Sequence, residues 1–199
     1  MEYSINGSNG VEIKHPPVNN SVAEIANMRQ FPSIRLFRTG HQSSSVPMLE
    51  QLPPTNGGSM EAVEGWSSPC LVTADGAERC RADFSSMCYF YGRNVYSVLA
   101  AEGRPRPIGM IQACWSGSPD EPWMPRGAVE KCMKPAGKVP ANGGMFNGMI
   151  RPLLNTTITG AIWYQGESDA THPGGLFDGY NCTFPAMIKG WRELWSADI

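Results

Sequence analysis

The fold is decided by residues 84–114, F-S-S-M-C-Y-F-Y-G-R-N-V-Y-S-V-L-A-A-E-G-R-P-R-P-I-G-M-I-Q-A-C. Apolar residues recur at helical spacing over 84–101, and Gly103 follows where such a helix would end. Residues 107–114 form a nearly continuous apolar run, which predicts a buried strand. A helix followed by a buried strand is typical of an α/β fold with a parallel sheet.

The same patterns outward from this stretch predict an alternation of helices and strands. Helices are expected over 20–29, 144–154 and 183–195, and short buried strands over 34–37 and 158–164. This order predicts one α/β domain over residues 1–199 with an open parallel sheet. Ligands bind beyond the carboxyl ends of such strands, so functional residues are expected just after residues 37, 113 and 164.

The composition excludes several classes of protein. Of 199 residues, 41% are hydrophobic and 17% charged, which indicates a globular chain. The net charge of -2 gives no reason to expect nucleic acid as a partner, and no apolar run is long enough to span a bilayer. The six tryptophans fit core packing or, alternatively, the lining of a sugar pocket.

The even number of cysteines permits disulfides and the glycosylation sequons favour the secretory pathway, with free buried cysteines and chance sequons as the alternative. None of the six cysteines forms a C-x-x-C pair, and Cys70 and Cys80 are spaced to close one loop. Four N-x-S/T sequons begin at Asn6, Asn19, Asn155 and Asn181. The first residues nevertheless lack the basic and apolar regions of a signal peptide, so either the protein is cytosolic or its true N-terminus lies upstream.

Two polar segments follow predicted strands. Residues 115–123, W-S-G-S-P-D-E-P-W, place Gly117 in a tight turn, where its backbone N–H could stabilise an oxyanion; taken alone, such a segment is usually only a turn. Residues 163–170, W-Y-Q-G-E-S-D-A, offer the amide of Gln165 as a second donor. Glu167 could hold this loop by accepting hydrogen bonds.

Here the sequence resembles a known family. Residues 160–168, G-A-I-W-Y-Q-G-E-S, resemble the signature of the sialate O-acetylesterases, which are SGNH hydrolases. Further stretches fit the family's F-S-A-V-C-x-F-G-R, W-G-G-T-P-I-E-A-W, N-A-M-I-x-P-L and Y-N-C-T-F-P-A segments, in this order: residues 84–93, 115–123, 147–153 and 180–186. Ser116 replaces the first glycine of W-G-G, and Asp120 replaces an apolar residue.

The resemblance implies an incomplete three-layer α/β/α fold and a carboxylic ester hydrolase. Such enzymes remove O-acetyl groups from sugars, notably sialic acids, with a Ser nucleophile, a His base and an Asp orienter, and without a metal or organic cofactor. The family's G-Q-S-N-M nucleophile segment would place the serine just upstream of Met1, and its D-x-x-H segment would lie beyond Ile199. The chain is therefore expected to be a central portion, inactive alone, of a secreted or lysosomal enzyme.

The site expected from the resemblance consists of two groups of residues. Gly117 and Gln165 form the oxyanion hole, while substrate and loop support comes from Ser116, Glu121, Glu167 and Ser168. The substrate is an O-acetylated sugar or sialoglycan, and the oligomeric state stays open.

Three alternative interpretations remain: a local catalytic triad, a non-catalytic remnant and a different SGNH esterase. Ser168, Asp169 and His172 fit a local triad, although neighbouring side chains on an extended segment point apart. His15 and His41 are expected to be surface residues. The chain could also be a non-catalytic carbohydrate- or partner-binding remnant, or belong to another SGNH esterase such as a plant cell-wall acetylesterase.

Overall fold

A computed structural model describes residues 4–9, 14–51, 65–132, 143–170 and 179–196. The chain divides into two compact units, each described by itself. The first unit comprises Met1–Thr39 and Pro53–Cys114, and the second comprises Gly40–Leu52 and Trp115–Ile199. The sequence-based expectation of one domain stays a prediction.

In its described part, the first unit contains six short strands and two α-helices. In chain order they are β1 (Ser8–Asn9), β2 (Lys14–His15), α1 (Ser21–Asn27), β3 (Ile34–Arg38), β4 (Cys70–Val72), β5 (Glu78–Cys80), α2 (Ser86–Ala101) and β6 (Ile108–Gln112). A 3-10 turn, Met28–Gln30, extends α1. The helix predicted over 20–29 is therefore confirmed.

The α/β class is confirmed by the pairing of β3 with β6. The two strands run parallel, with Ile34 opposite Ile108 and Arg38 opposite Gln112. Parallel strands need a long crossover connection, and here it includes α2. The buried side chains of this unit form one hydrophobic core: Ile5, Met28, Ile34, Leu36, Phe84, Tyr89 and Met110.

The helix predicted over 84–101 is observed as α2, and its ends have local causes. Ser85 caps the start because its hydroxyl accepts from the backbone N–H of Cys88 at 3.3 Å. Gln112, at the end of β6, accepts from the Ser85 N–H at 2.8 Å and so ties strand to helix. Gly103 supplies the positive φ, 72°, that follows the last turn.

The face that α2 buries differs from the apolar stripe that its sequence predicts, which comprises Met87, Tyr91, Val95, Val98 and Leu99. Apolar residues on one stripe are exposed: Met87, Tyr91 and Val98. The helix instead buries Ser86, Tyr89 and Gly92. A Cβ at Gly92 would lie 2.7 Å from the Met110 side chain, so the small residue permits this close approach. Tertiary packing on β6 therefore decides the orientation of the helix.

A disulfide closes the hairpin of the first unit. β4 and β5 pair antiparallel, and Cys70 bonds to Cys80 across them. The sequence-based expectation that these two cysteines close a loop is confirmed.

The second unit is helical in its described part. Its helices are α3 (Arg126–Lys131), a π-helical segment (Phe146–Ile150), α4 (Glu167–Ala170) and α5 (Tyr180–Ser196), with 3-10 turns over Glu121–Trp123 and Arg151–Leu153. The helices predicted over 144–154 and 183–195 are thus present, although the first departs from α geometry. Cys132, at the end of α3, bonds to Cys182 in α5. Among the described helices, none is both long and apolar enough to cross a bilayer.

The strand predicted over 158–164 is wrong. These residues form no regular element, and Ile162 and Tyr164 are exposed to 46% and 51%. A parallel strand is held by hydrogen bonds to a neighbouring strand, and no described strand pairs with this segment. Its apolar pattern alone is therefore insufficient to form a strand here.

Candidate functional site

The first site loop, residues 115–123, follows β6 in the chain and begins with a tight turn. The Ser118 hydroxyl donates to the carbonyl of Trp115 at 2.7 Å, and the indole N–H of Trp123 donates to that hydroxyl at 2.9 Å. Gly117 has a φ of 75°, which a glycine adopts without steric cost. No described residue accepts a hydrogen bond from the Gly117 N–H. The turn thus presents an exposed backbone donor.

The second site loop, residues 163–170, contacts the first through two hydrogen bonds. The side-chain amide of Gln165 donates to the carbonyl of Ser118 at 3.2 Å. The Ser168 hydroxyl donates to the carbonyl of Gly117 at 3.0 Å. Three residues that the sequence predicts for the site, Gly117, Gln165 and Ser168, therefore lie together in the second unit.

The amide of Gln165 is also bonded within its own loop. It donates to the carboxylate of Asp169, while the side-chain oxygen Oε1 of Gln165 is buried without a partner among the described residues. Both amide hydrogens are thus directed at protein oxygens.

An aromatic cluster anchors the second loop. Trp163 lies edge-on to Trp123 and Trp191, with ring centroids 6.3 Å and 6.1 Å away. Its indole N–H donates to the Tyr180 hydroxyl at 3.1 Å, and this hydroxyl donates to the carbonyl of Gln165 at 3.3 Å. These tryptophans pack on one another, and Trp123 is buried.

The other predicted support residues take varied positions. Ser116 is exposed on the first loop, and Glu167 is exposed at the start of α4. Glu121 is half-buried at the start of the 3-10 turn. Its carboxylate lies close to those of Asp120 and Asp169, with one oxygen of each within 4.8 Å of the others. Glu121 therefore belongs to an acidic cluster, with Asp120 and Asp169, that the sequence does not predict.

Asp120 is the residue of this region that sequence reasoning missed. It is fully buried, and burial raises the pKa of its carboxyl group to about 7. The neighbouring charges of Asp169 and Glu121 raise this pKa as well, and the Thr183 hydroxyl partly offsets the effect. The one signal in the sequence was an aspartate where the family segment has an apolar residue.

The alternative triad gains no support from the described part of the chain. The Ser168 hydroxyl is bonded to Gly117, and the Asp169 carboxylate accepts from Gln165 and from the backbone N–H of Asp120 at 3.4 Å. His172 lies outside the described residues. His41 is half-buried rather than exposed, and its ring stacks on Trp115 with centroids 4.9 Å apart. The side chain of His15 also lies outside the described residues.

The fold resembles that of a carbohydrate acetylesterase. A crystal structure of a carbohydrate acetylesterase from Xanthomonas citri superposes with a TM-score of 0.65 and 25% sequence identity. The match covers 98% of this chain and 36% of that one. The α/β class with a parallel sheet is thereby confirmed.

More particularly, the chain is related to the sialate O-acetylesterases. It is 31% identical to the sialate O-acetylesterase of Pongo abelii and 30% identical to that of Homo sapiens, in each case over 94% of this chain. The resemblance found in the sequence is therefore confirmed. The chain spans 34% of the length of these two relatives. No protein-family model matches it.

Proposed function

We propose that this chain is part of an ester hydrolase that removes O-acetyl groups from sugars of the sialic acid type. The proposal is carried by one observation, the hydrogen bonds that join the Gln165–Ser168 loop to the turn at Gly117. They hold the loop that carries the Gln165 amide against the turn that carries the Gly117 N–H, which supports an oxyanion hole built from these two donors. Relatives named as esterases support the same reaction class.

The proposed roles follow from the charge that develops during ester hydrolysis. Attack on the acetyl carbonyl places negative charge on its oxygen, and donors already oriented toward that oxygen lower the barrier. Gly117 supplies its N–H from a turn with no side chain in the way. Gln165 supplies its amide after releasing either Ser118 or Asp169, because both amide hydrogens are bonded to these residues before substrate binds.

The remaining residues hold this arrangement. Ser168 fixes the peptide after Gly117 by donating to its carbonyl. Ser116 lies on the exposed edge of the turn, and its proposed role is to contact substrate. Glu121 begins the 3-10 turn and Glu167 begins α4, and the proposed role of both is to hold the two loops. These residues position the substrate and the oxyanion donors and take no part in proton transfer.

The nucleophile and base belong to other segments of the proposed enzyme. The family's G-Q-S-N and D-x-x-H segments supply the serine, the histidine and its aspartate, and no metal or organic cofactor is needed for this chemistry. We place the enzyme in a secretory or lysosomal compartment. The disulfides Cys70–Cys80 and Cys132–Cys182 support this placement, since such bonds persist in oxidising compartments.

Acetate release from O-acetylated sialic acid tests the proposal. The protein to assay is a longer one, in which this chain is preceded by the G-Q-S-N segment and followed by the D-x-x-H segment of the family. We expect turnover that is lost when the serine of G-Q-S-N is changed to alanine. Turnover on O-acetylated xylan alone would favour a cell-wall acetylesterase, and sugar binding without turnover would favour a non-catalytic carbohydrate-binding protein. Turnover that survives loss of this serine but not Ser168→Ala would overturn the proposed mechanism.

A further inference from the structure

Asp120 has a buried carboxylate to which no described residue donates a hydrogen bond of normal geometry. Its side chain has no exposed surface, and neither carboxylate oxygen has a partner among the described residues. The hydroxyl of Thr183, which lies beside it, donates instead to the carbonyl of Gly179 at 3.3 Å. A buried carboxylate without compensation is strongly unfavourable, so its surroundings must supply either a proton or a positive charge.

Two further carboxylates converge on Asp120. One oxygen each from Asp120, Glu121 and Asp169 lie within 4.8 Å of one another. Within the described part of the chain, no lysine or arginine forms an ion pair with Asp120 or Asp169. In that part of the chain, no basic side chain therefore balances the charges of Asp120 and Asp169.

The spacing of these oxygens suits a calcium ion. Calcium binds oxygen ligands at about 2.3 to 2.6 Å, so two ligands on opposite sides of the ion are about 4.6 to 5.2 Å apart. Three oxygens that all lie within 4.8 Å of one another can therefore share one ion. Calcium takes six to eight ligands, and water can fill the remaining positions because Glu121 and Asp169 are only half-buried.

We propose that Asp120, Glu121 and Asp169 form a Ca²⁺ site that joins the turn after Gly117 to helix α4. The ion neutralises the buried carboxylate and links two segments that are 49 residues apart in sequence. It is a structural ion that takes no part in ester hydrolysis. The proposal does not rest on the proposed function, since it concerns binding and stability alone.

Terbium luminescence tests the site directly. Tb³⁺ replaces Ca²⁺ at oxygen sites, and the buried Trp123, two residues after Glu121, is placed to sensitise its emission. In the full 199-residue chain we expect saturable Tb³⁺ emission that Ca²⁺ displaces. Asp120→Asn and Asp169→Asn should each weaken Tb³⁺ binding by about tenfold or more. Glu130→Gln is the matched control, because this exposed carboxylate belongs to the same unit and pairs with Arg126.

Thermal denaturation gives a second readout. At a Ca²⁺ concentration about 100-fold above Kd, we expect the melting temperature of the unchanged chain to rise by about 5 to 10 °C. This rise should be absent in Asp120→Asn. If that variant does not fold, Glu121→Gln replaces it, since a half-buried residue is more readily exchanged.

Two outcomes would overturn the proposal. One is Tb³⁺ emission that is absent, or equally strong in the Asp120 and Asp169 variants. The other is a melting temperature that does not change with Ca²⁺ and that is higher for Asp120→Asn than for the unchanged chain when both are measured in chelator. That result would mean that Asp120 shares a proton with Asp169, so that no ion is needed.

Discussion

Gly190 of α5 lies against Pro125 so closely that a Cβ at position 190 would be 2.7 Å from the proline Cγ and 3.1 Å from the Cβ of Ala128. Proline is a rigid ring and cannot rotate out of the way. The absence of a side chain at Gly190 is therefore what lets α5 pack on the start of α3. Gly127, also in a helix of this unit, has no atom within 4 Å of the corresponding position.

The first prediction compares these two glycines. Gly190→Ala should destabilise the chain by about 1 to 3 kcal/mol, because overpacking outweighs the gain in helix propensity. Gly127→Ala should stabilise it by about 0.5 to 1 kcal/mol, because only the propensity term applies. Urea denaturation of both variants measures the difference. Equal effects of the two substitutions would contradict the packing described for α3 and α5.

The second prediction concerns the two disulfides. Cys132–Cys182 spans 50 residues of sequence and Cys70–Cys80 spans 10, so the first restricts the unfolded chain more. Replacing both cysteines of the longer pair by serine should cost about 4 kcal/mol, and replacing the shorter pair about 3 kcal/mol. Denaturation of the two double variants, each compared with the oxidised chain, checks this order.

The third prediction concerns pH and the hairpin turn at Asp75. The Thr73 hydroxyl and the Ala77 N–H donate to the Asp75 carboxylate at 2.5 Å and 3.0 Å, and Arg79 pairs with it at 2.9 Å. These contacts lower the pKa of Asp75 to about 2, from 3.8. A lowered pKa means that the turn gains stability above about pH 4 and loses it as the pH falls toward 2. NMR titration of the Asp75 carboxyl measures the pKa, which should return toward 3.8 in Thr73→Val.

Local sequence patterns sufficed for α1, α2, β3 and β6 of the first unit, whereas β1, β2, β4 and β5 lie in stretches that the sequence predicts to be irregular. Strands β3 and β6 and helix α2 follow from short apolar runs and from capping residues such as Ser85 and Gly103. The segment 158–164 has the same kind of apolar run but no strand beside it. Strand formation depends on a partner, and a single segment carries no information about whether that partner is present.

The candidate site was predictable only in part. Gly117 and Gln165 stand in polar segments that resemble a known family, so their types and positions pointed to the site. The raised pKa of Asp120 depends on its burial and on its neighbours Asp169 and Thr183, which are far away in sequence. The Cys132–Cys182 pairing was equally out of reach, because cysteine spacing does not fix connectivity.

The fourth prediction separates the catalytic role of Gln165 from a bracing role. In the longer, active protein, Gln165→Ala should lower kcat by about 10² to 10³, which corresponds to about 3 to 4 kcal/mol, with little change in KM. The reason is that an oxyanion donor acts on the transition state and contributes little to substrate binding. Steady-state kinetics on an acetyl ester, with melting temperatures of the same samples, measure both effects.

Glu167→Gln is the control for this experiment, because its proposed task is to hold the loop. It should change kcat less than Gln165→Ala does and lower the melting temperature more. Gln165 also donates to Ser118 and Asp169, so a merely bracing side chain would show the opposite pattern: a lower melting temperature with kcat within about twofold of the unchanged protein. In that case the only role of Gln165 would be its hydrogen bonds to Ser118 and Asp169. The oxyanion hole would then need a second donor other than Gln165 beside the Gly117 N–H.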